Sequence, residues 1–321
     1  MSKELQAGYD AIVIGGGSAG LSGALMLGRS RRSVLVVDSG KPRNAPAAGV
    51  HGFLTRDGLP PSELVAIGRA EVRRYGVEVV DGEVSAIGGD VESGFTVTLA
   101  TGESSTARRL LVTTGLIDEL PEIPGLAERW GKDLLHCPYC HGWEVRDQAI
   151  GIVGVGAMSV HQAQMFRQIS ADVVLFLNDE VRPTEDELTQ LTARGIRVVE
   201  GKVAAVRSDS DAITGVVLAD GTFVTRQVLT VTPRFVARAS FLADLGLRPV
   251  QHPMGVGEYI PAEETGVTAV PGVWAAGNVS NLMAQVGGAA AAGAMAGAHI
   301  NGDLIAEETR LAVAELSASA S

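Results

Sequence analysis

The stretch that decides the fold is Tyr9-Asp10-Ala11-Ile12-Val13-Ile14-Gly15-Gly16-Gly17-Ser18-Ala19-Gly20. Residues 9–14 are an apolar run of strand length, and residues 21–29 continue as a helix. A second apolar run at 33–37 ends on Asp38. Strand, glycine turn, helix and strand together make a βαβ start. Within it, Gly15-x-Gly17-x-x-Gly20 has the spacing at which bare backbone approaches a pyrophosphate, and the N-terminus of the following helix favours the negative charge. Asp38 stands eighteen residues past Gly20, where a carboxylate can accept hydrogen bonds from a ribose. An ordinary glycine turn is the competing reading, but the order of elements favours a nucleotide.

The pattern then restarts. Residues 149–153 read as a strand, Gly154-x-Gly156-x-x-Ser159 as a second glycine turn, and residues 173–177 as the next strand. The two turns lie 139 residues apart, which indicates two nucleotide-binding-type domains and not a short repeat array. Leu177-Asn178-Asp179-Glu180 places acid where a 2′-phosphate would need arginine. NADPH is therefore disfavoured at the second turn, while NADH binding and a retained fold without a nucleotide both stay open. Elsewhere, Pro60-Pro61-Ser62-Glu63 opens a helix, and residues 95–99 and 109–114 read as strands. Thr184-Glu185-Asp186-Glu187 fits a capping box that starts a helix to about residue 194. Further strands are expected at 196–200, 203–206, 213–218 and 222–231. Linkers are expected at Pro121–Pro124 and near 245–252, and a disordered tail at 317–321.

Composition sets outer bounds. The 321 residues imply about two domains. Lys and Arg number 26 against 37 Asp and Glu, a net charge of −11, which argues against nucleic acid or an anionic membrane as partner. Apolar residues at 46% and charged residues at 20% describe a globular chain. The N-terminus shows no secretory pattern. Residues 286–300 are apolar but too short to span a membrane, and their small side chains suit a close-packed helix. A cytoplasmic protein is expected.

Cys137 and Cys140 are the two cysteines, so a structural disulfide framework is excluded. They sit in His136-Cys137-Pro138-Tyr139-Cys140-His141. A haem-attachment motif, a zinc site and a dithiol/disulfide redox couple compete for this segment. The redox couple leads: two thiols separated by two residues can close a small ring, and an adjacent base can raise the thiolate fraction. A last constellation is Val273-Trp274-Ala275-Ala276-Gly277-Asn278, followed by Ala284-Gln285-Val286-Gly287-Gly288, a strand, a turn and the start of a small-residue helix. Its positive helix end suits a group that gains negative charge on reduction.

In this order the four elements resemble the low-molecular-weight thioredoxin reductase family over essentially the whole chain. The resemblance implies an α/β fold of two Rossmann-like, three-layer ββα nucleotide-binding domains, with a discontinuous FAD domain at 1–118 and 248–321. A pyridine-nucleotide-like module at 119–247 would carry the CxxC. FAD contacts are then expected from Gly15, Gly17, Ser18, Ala19, Gly20, Asp38, Thr114, Gly115, Gly277, Asn278, Ala284, Gln285 and Val286. No metal is expected, and the family is homodimeric.

Three departures point within the family. His141 stands where the reductases have an acid, Leu177-Asn178-Asp179 replaces their His-Arg-Arg segment, and Gly40 to Pro46 with Gly49 to Gly52 replaces their Gly-Gly-Gln. This brings Arg43, Asn44 and His51 into the expected flavin set. All three departures are similar to FAD-dependent dithiol oxidases, including those that close disulfides in gliotoxin- and holomycin-type metabolites. The implied reaction is attack of a substrate thiolate on the disulfide at Cys137. Cys140 would then be the flavin-proximal thiolate, His141 the base and oxygen the acceptor. The substrate would be a small dithiol or a thioredoxin-like protein. A reductase fed by NADH, ferredoxin or a deazaflavin, and a redox-sensing module without turnover, are the competing readings.

Overall fold

The structure, a computed structural model, describes residues 5–319. The expectations for the first four residues and the last two lie outside the described residues. The chain divides into two compact units: Met1–Ala45, Pro60–Ile117 and Phe235–Ser321 form the first, Pro46–Leu59 and Asp118–Arg234 the second. Six α-helices stand among the described residues: α1 (Ser18–Arg29), α2 (Pro61–Arg73), α3 (Pro138–His141), α4 (Met158–Phe166), α5 (Glu185–Ala193) and α6 (Val286–Ser319). None is long and apolar enough to cross a membrane.

The first unit is built on a seven-stranded sheet. Gly8–Ile14 pairs in parallel with Val34–Asp38 on one side and Ser104–Val112 on the other. Glu78–Asp81 extends the parallel part, Val273–Ala275 joins Ser104–Val112, and Gly94–Leu99 and Val84–Asp90 add an antiparallel edge. Alternation sorts the strand residues between two faces. Ala11, Val13, Val34, Val36 and Leu111 pack with Leu21, Ala24 and Leu27 of α1 and Ala296, Ile300 and Leu304 of α6. Ile12, Ile14, Leu35, Val37, Leu110 and Val112 face the other way, toward Phe95, Leu99 and Leu242. The small residues of α6 serve a close crossing with α1: a Cβ on Gly293 would lie 1.9 Å from the Ala19 carbonyl oxygen, and one on Gly297 2.5 Å from that of Gly23.

The second unit has a five-stranded parallel sheet in the order Arg197–Val199, Val173–Phe176, Ile150–Val153, Val228–Thr230 and Leu134–Leu135. A separate antiparallel sheet contains Val203–Asp209, Ala212–Leu218 and Phe223–Thr225. The mixed α/β class with parallel sheets is as expected. The Thr184 capping box forms as read: its hydroxyl accepts from the Glu187 N–H, and the Glu187 carboxylate accepts from the Thr184 N–H.

Three local readings are corrected. The expected strand at 222–231 is two strands in different sheets. The chain turns at Arg226, which pairs with Asp172 at 2.6 Å, and at Gln227, whose N–H and side-chain oxygen both engage Ala149. The segment near 245–252 is not a linker. Residues Ser240–Leu245 form a 3-10 helix ended by left-handed Gly246, Val250–Gln251 is a strand, and Leu242 and Leu247 are buried in the first unit's core. The second unit accordingly ends at Arg234, ahead of the expected 247, and it also holds residues 46–59, which the expected limits leave in the first. Lastly, residues 317–319 are the end of α6 and no disordered tail.

Candidate active site

In the first unit the glycine turn joins the strand Gly8–Ile14 to α1. Gly15 has a φ of 105°, and a Cβ there would lie 2.5 Å from the Thr113 carbonyl oxygen. A Cβ on Gly20 would lie 1.9 Å from the Gly15 carbonyl oxygen. Thr113 secures the turn, its buried hydroxyl donating to the carbonyls of Ile14 and Gly15 at 3.0 and 2.9 Å. Gly17 precedes α1, no side chain caps the helix, and nothing lies within 4 Å of where a Gly17 Cβ would be. The first-turn N–H groups of α1 are therefore free of side-chain acceptors beneath open space. This fits a phosphate-bearing dinucleotide.

Asp38 ends the second strand beside this turn, its carboxylate against Gly16. Arg69 of α2 donates to its Oδ2 at 2.5 Å, and to Asp81 at 2.8 Å. The Arg69 Nε is buried without a hydrogen-bond partner among the described residues. Arg69 was not among the sequence candidates, because nothing in its spacing ties it to Asp38.

The other candidates of the first unit gather partly around the same turn. A Cβ on Gly277 would touch the Ala19 side chain at 2.9 Å. Thr114 donates to the Arg238 carbonyl at 2.6 Å, and the Gly115 carbonyl accepts from the Arg238 N–H at 3.1 Å. The Asn278 amide nitrogen faces the carbonyls of Asn281, Leu282 and Ala284 at 3.1, 3.3 and 2.9 Å. It thus fixes the loop that enters α6 at Val286. The Gln285 carbonyl begins the α6 ladder, accepting from Ala289. The Arg43 guanidinium lies 5.2 Å from the Phe235 ring centroid. Asn44 occupies the turn that follows it.

The second unit holds the cysteines. The edge strand Leu134–Leu135 leads into Cys137, Pro138 opens α3, and Cys137 and Cys140 are joined as a disulfide with Cα atoms 5.3 Å apart. Pro suits the first helical turn because its missing N–H would have no partner there. The N–H groups of Cys140 and His141 both donate to the Cys137 carbonyl at 3.2 Å. Tyr139 and Trp143 are exposed, and Arg146 stacks 4.4 Å from the Trp143 ring centroid. His136 faces the Val231 carbonyl at 3.3 Å, and its own carbonyl accepts from buried Gln162.

His141 follows the pair directly. Its Nε2 is buried without a hydrogen-bond partner among the described residues. Burial lowers its pKa from the ordinary imidazole value, partly opposed by Glu144, while His51 adds to the lowering. A neutral imidazole with a free ring nitrogen beside a disulfide is equipped to take a thiol proton.

His51 is the candidate that moves. It belongs to the second unit, in a loop closed by the Val50–Leu59 bridge. There its ring stands edge-on to that of His141, with centroids 6.4 Å apart. Its Nδ1 lies 3.5 Å from Asp57 and its Nε2 3.5 Å from Glu144. Asp57 and Glu144 carry no sequence motif, and only the folding of this loop beside the segment after α3 reveals them.

The second glycine turn is held by its own chain. Asn178, 8% exposed, donates from its amide to the Gly154 carbonyl at 3.0 Å and accepts from the Val203 N–H at 2.9 Å. Ser159 accepts from the Val155 N–H at 3.1 Å.

These features agree with comparisons to known proteins. The family profile described as pyridine nucleotide-disulphide oxidoreductase matches residues 9–295. A probable thioredoxin reductase of Arthroderma benhamiae is 40% identical over 56% of this chain and 46% of its own, so the chain spans about half of that relative. Thioredoxin reductase sirT of Leptosphaeria maculans is 30% identical over 91% of this chain and 93% of its own. Among solved structures, HlmI is 44% identical over the full length of both chains, with a TM-score of 0.91. The chain belongs to the pyridine nucleotide-disulphide oxidoreductase family and is a thioredoxin reductase-like oxidoreductase and flavoprotein whose cofactor is FAD.

Proposed function

We propose that the chain is a dithiol oxidase: it converts a dithiol to a disulfide through Cys137–Cys140, passes the electron pair to oxygen, and does not draw on NADPH. The observation that carries this reading is His141, a half-buried imidazole directly after the redox pair, whose buried Nε2 has no hydrogen-bond partner among the described residues. An acid there would serve the protonation of a departing thiolate, whereas a neutral imidazole serves the deprotonation of an arriving thiol. The chain's likeness to sirT and to HlmI supports the redox assignment.

His141 takes the proton of the first substrate thiol, and the thiolate attacks Cys137. The bond to Cys140 breaks and leaves a thiolate there. The second substrate thiolate attacks the mixed disulfide, releasing the substrate disulfide and the Cys137 thiolate. Gly15, Gly17, Ser18, Ala19 and Gly20 would hold the phosphates of FAD and Asp38 a ribose, and Thr114, Gly115, Gly277, Asn278, residues 284–286, Arg43 and Asn44 would serve the rest of the cofactor. Bound there, FAD supplies two-electron chemistry between the reduced cysteines and oxygen, so that one dithiol and one oxygen give one disulfide and one hydrogen peroxide. The absence of an arginine cluster after residues 173–176 and the internal use of both Asn178 amide groups support independence from NADPH. We place the enzyme in the cytoplasm as a homodimer acting on a small dithiol.

The test is an anaerobic titration of the yellow holoenzyme, following its visible absorbance. Dithiothreitol alone should bleach it, and air should restore the colour with peroxide formed. Bleaching by NADPH or NADH, with none by dithiol, overturns the reading.

A further inference from the structure

We propose that His51 is a second proton acceptor in the thiol–disulfide exchange, paired with His141; the inference rests on the dithiol oxidase reading. Oxidising a dithiol breaks two S–H bonds and forms one S–S bond, while the Cys137–Cys140 bond breaks. Two electrons arrive on the cysteine sulfurs, and two protons need acceptors. His141 can hold one on Nε2. A base for the other is required if both cysteines are to remain thiolates.

The loop Val50–Leu59 supplies it. His51 presents its ring edge-on to His141 at a centroid distance of 6.4 Å. Carboxylates flank both of its nitrogens at 3.5 Å, Asp57 from its own loop and Glu144 from the 3-10 turn after α3. An imidazolium has a donor on each nitrogen, so the protonated ring is matched at both ends. Asp57 is itself pinned: its Oδ1 accepts from the Gly52 N–H at 2.9 Å. That hydrogen bond, with help from His51, holds the carboxyl below the usual range and keeps it ionised. Among the described residues, the charged and titratable groups facing His51 are Asp57, Glu144 and His141. Two carboxylates offset the two imidazoliums that form when each ring has taken a proton. The arrangement also gives the loop a role other than the flavin contact expected for His51 from the sequence.

The experiment is single-turnover anaerobic reduction of the holoenzyme by dithiothreitol between pH 6 and 9.5, with wild type and H51Q compared. Far-ultraviolet circular dichroism and the flavin spectrum establish that the variant is folded and loaded. H51Q should be slower by about 100-fold near neutrality, and the deficit should close as pH passes the ordinary thiol pKa of about 8.5, where thiolates form without a base. D57N, which leaves the imidazole in place, should show a smaller deficit that closes over the same range. An H51Q variant with wild-type rate and profile overturns the inference, and so does a loss that is equal at every pH. If dithiol bleaches the wild type while H51Q is unaffected, only this inference falls; if dithiol does not bleach the wild type, the oxidase reading falls with it.

Discussion

The Asn178 side chain bridges the Gly154 carbonyl and the Val203 N–H, at 3.0 and 2.9 Å, so that one buried amide ties the second glycine turn to the antiparallel sheet of its own unit. Asn178 adopts a left-handed backbone, φ 54°, a region that Asn tolerates better than most residues. At the end of the second strand, the Asn178 side chain is thus taken up within its own unit.

Asn178→Ala should therefore act on stability. Two buried hydrogen bonds are lost and two backbone groups left unsatisfied, a cost of about 2–4 kcal/mol. Denaturant unfolding of the variant should show that loss. The variant should gain no flavin reduction by NADPH, because acid still follows at Asp179 and Glu180, where a 2′-phosphate would need arginine.

Cys140→Ser and Cys137→Ser should each abolish dithiol-driven bleaching while leaving the flavin spectrum of the oxidised protein in place. The serine hydroxyl keeps the local shape but cannot exchange with a disulfide. Anaerobic spectra with dithiothreitol check this, and undiminished turnover in either variant would remove the pair from the mechanism.

The pH dependence follows from His141. Burial, reinforced by His51, lowers its pKa, so the ring stays neutral and basic as pH falls past the ordinary value of about 6.5. The rate of exchange should hold through that value and decline only below it. His141→Asn should cost about 100-fold and remove this acid limb. Stability carries the same sign: below about pH 6.5 the unfolded chain binds the proton more readily than the folded one. The folded state should therefore lose stability on that side.

The crossing of α6 on α1 is set by missing side chains. Gly293→Val would force atoms into the Ala19 backbone and should destabilise the first unit by about 3 kcal/mol or more, with flavin lost alongside. Gly302→Ala, on the same helix with nothing within 4 Å of the added carbon, should instead stabilise by up to about 1 kcal/mol. Thermal unfolding of the two variants makes the comparison.

Much of the protein was legible in order along the chain. The strand at residues 9–14, the spacing of Gly15, Gly17 and Gly20, Asp38, the Thr184 capping box and the adjacency of Cys140 and His141 are local patterns. Each is fixed by backbone sterics, by periodicity or by a ring that closes within a few residues. The strand misread at 222–231 shows the limit of that information. Its apolar pattern is continuous, and only the Arg226–Asp172 pair and the Gln227–Ala149 contacts divide it between two sheets.

The sequence by itself determined which residues can carry the chemistry: a glycine turn for phosphates, two cysteines able to join, and an imidazole beside them. Tertiary structure alone decided how those groups are tuned. It set Arg69 on Asp38, turned Asn178 inward, and folded the loop of His51 and Asp57 beside Glu144 and His141. The reason is physical. A motif is specified by spacing along the chain, whereas the charge, burial and hydrogen-bond partners of a side chain depend on segments brought together through space by packing of the core.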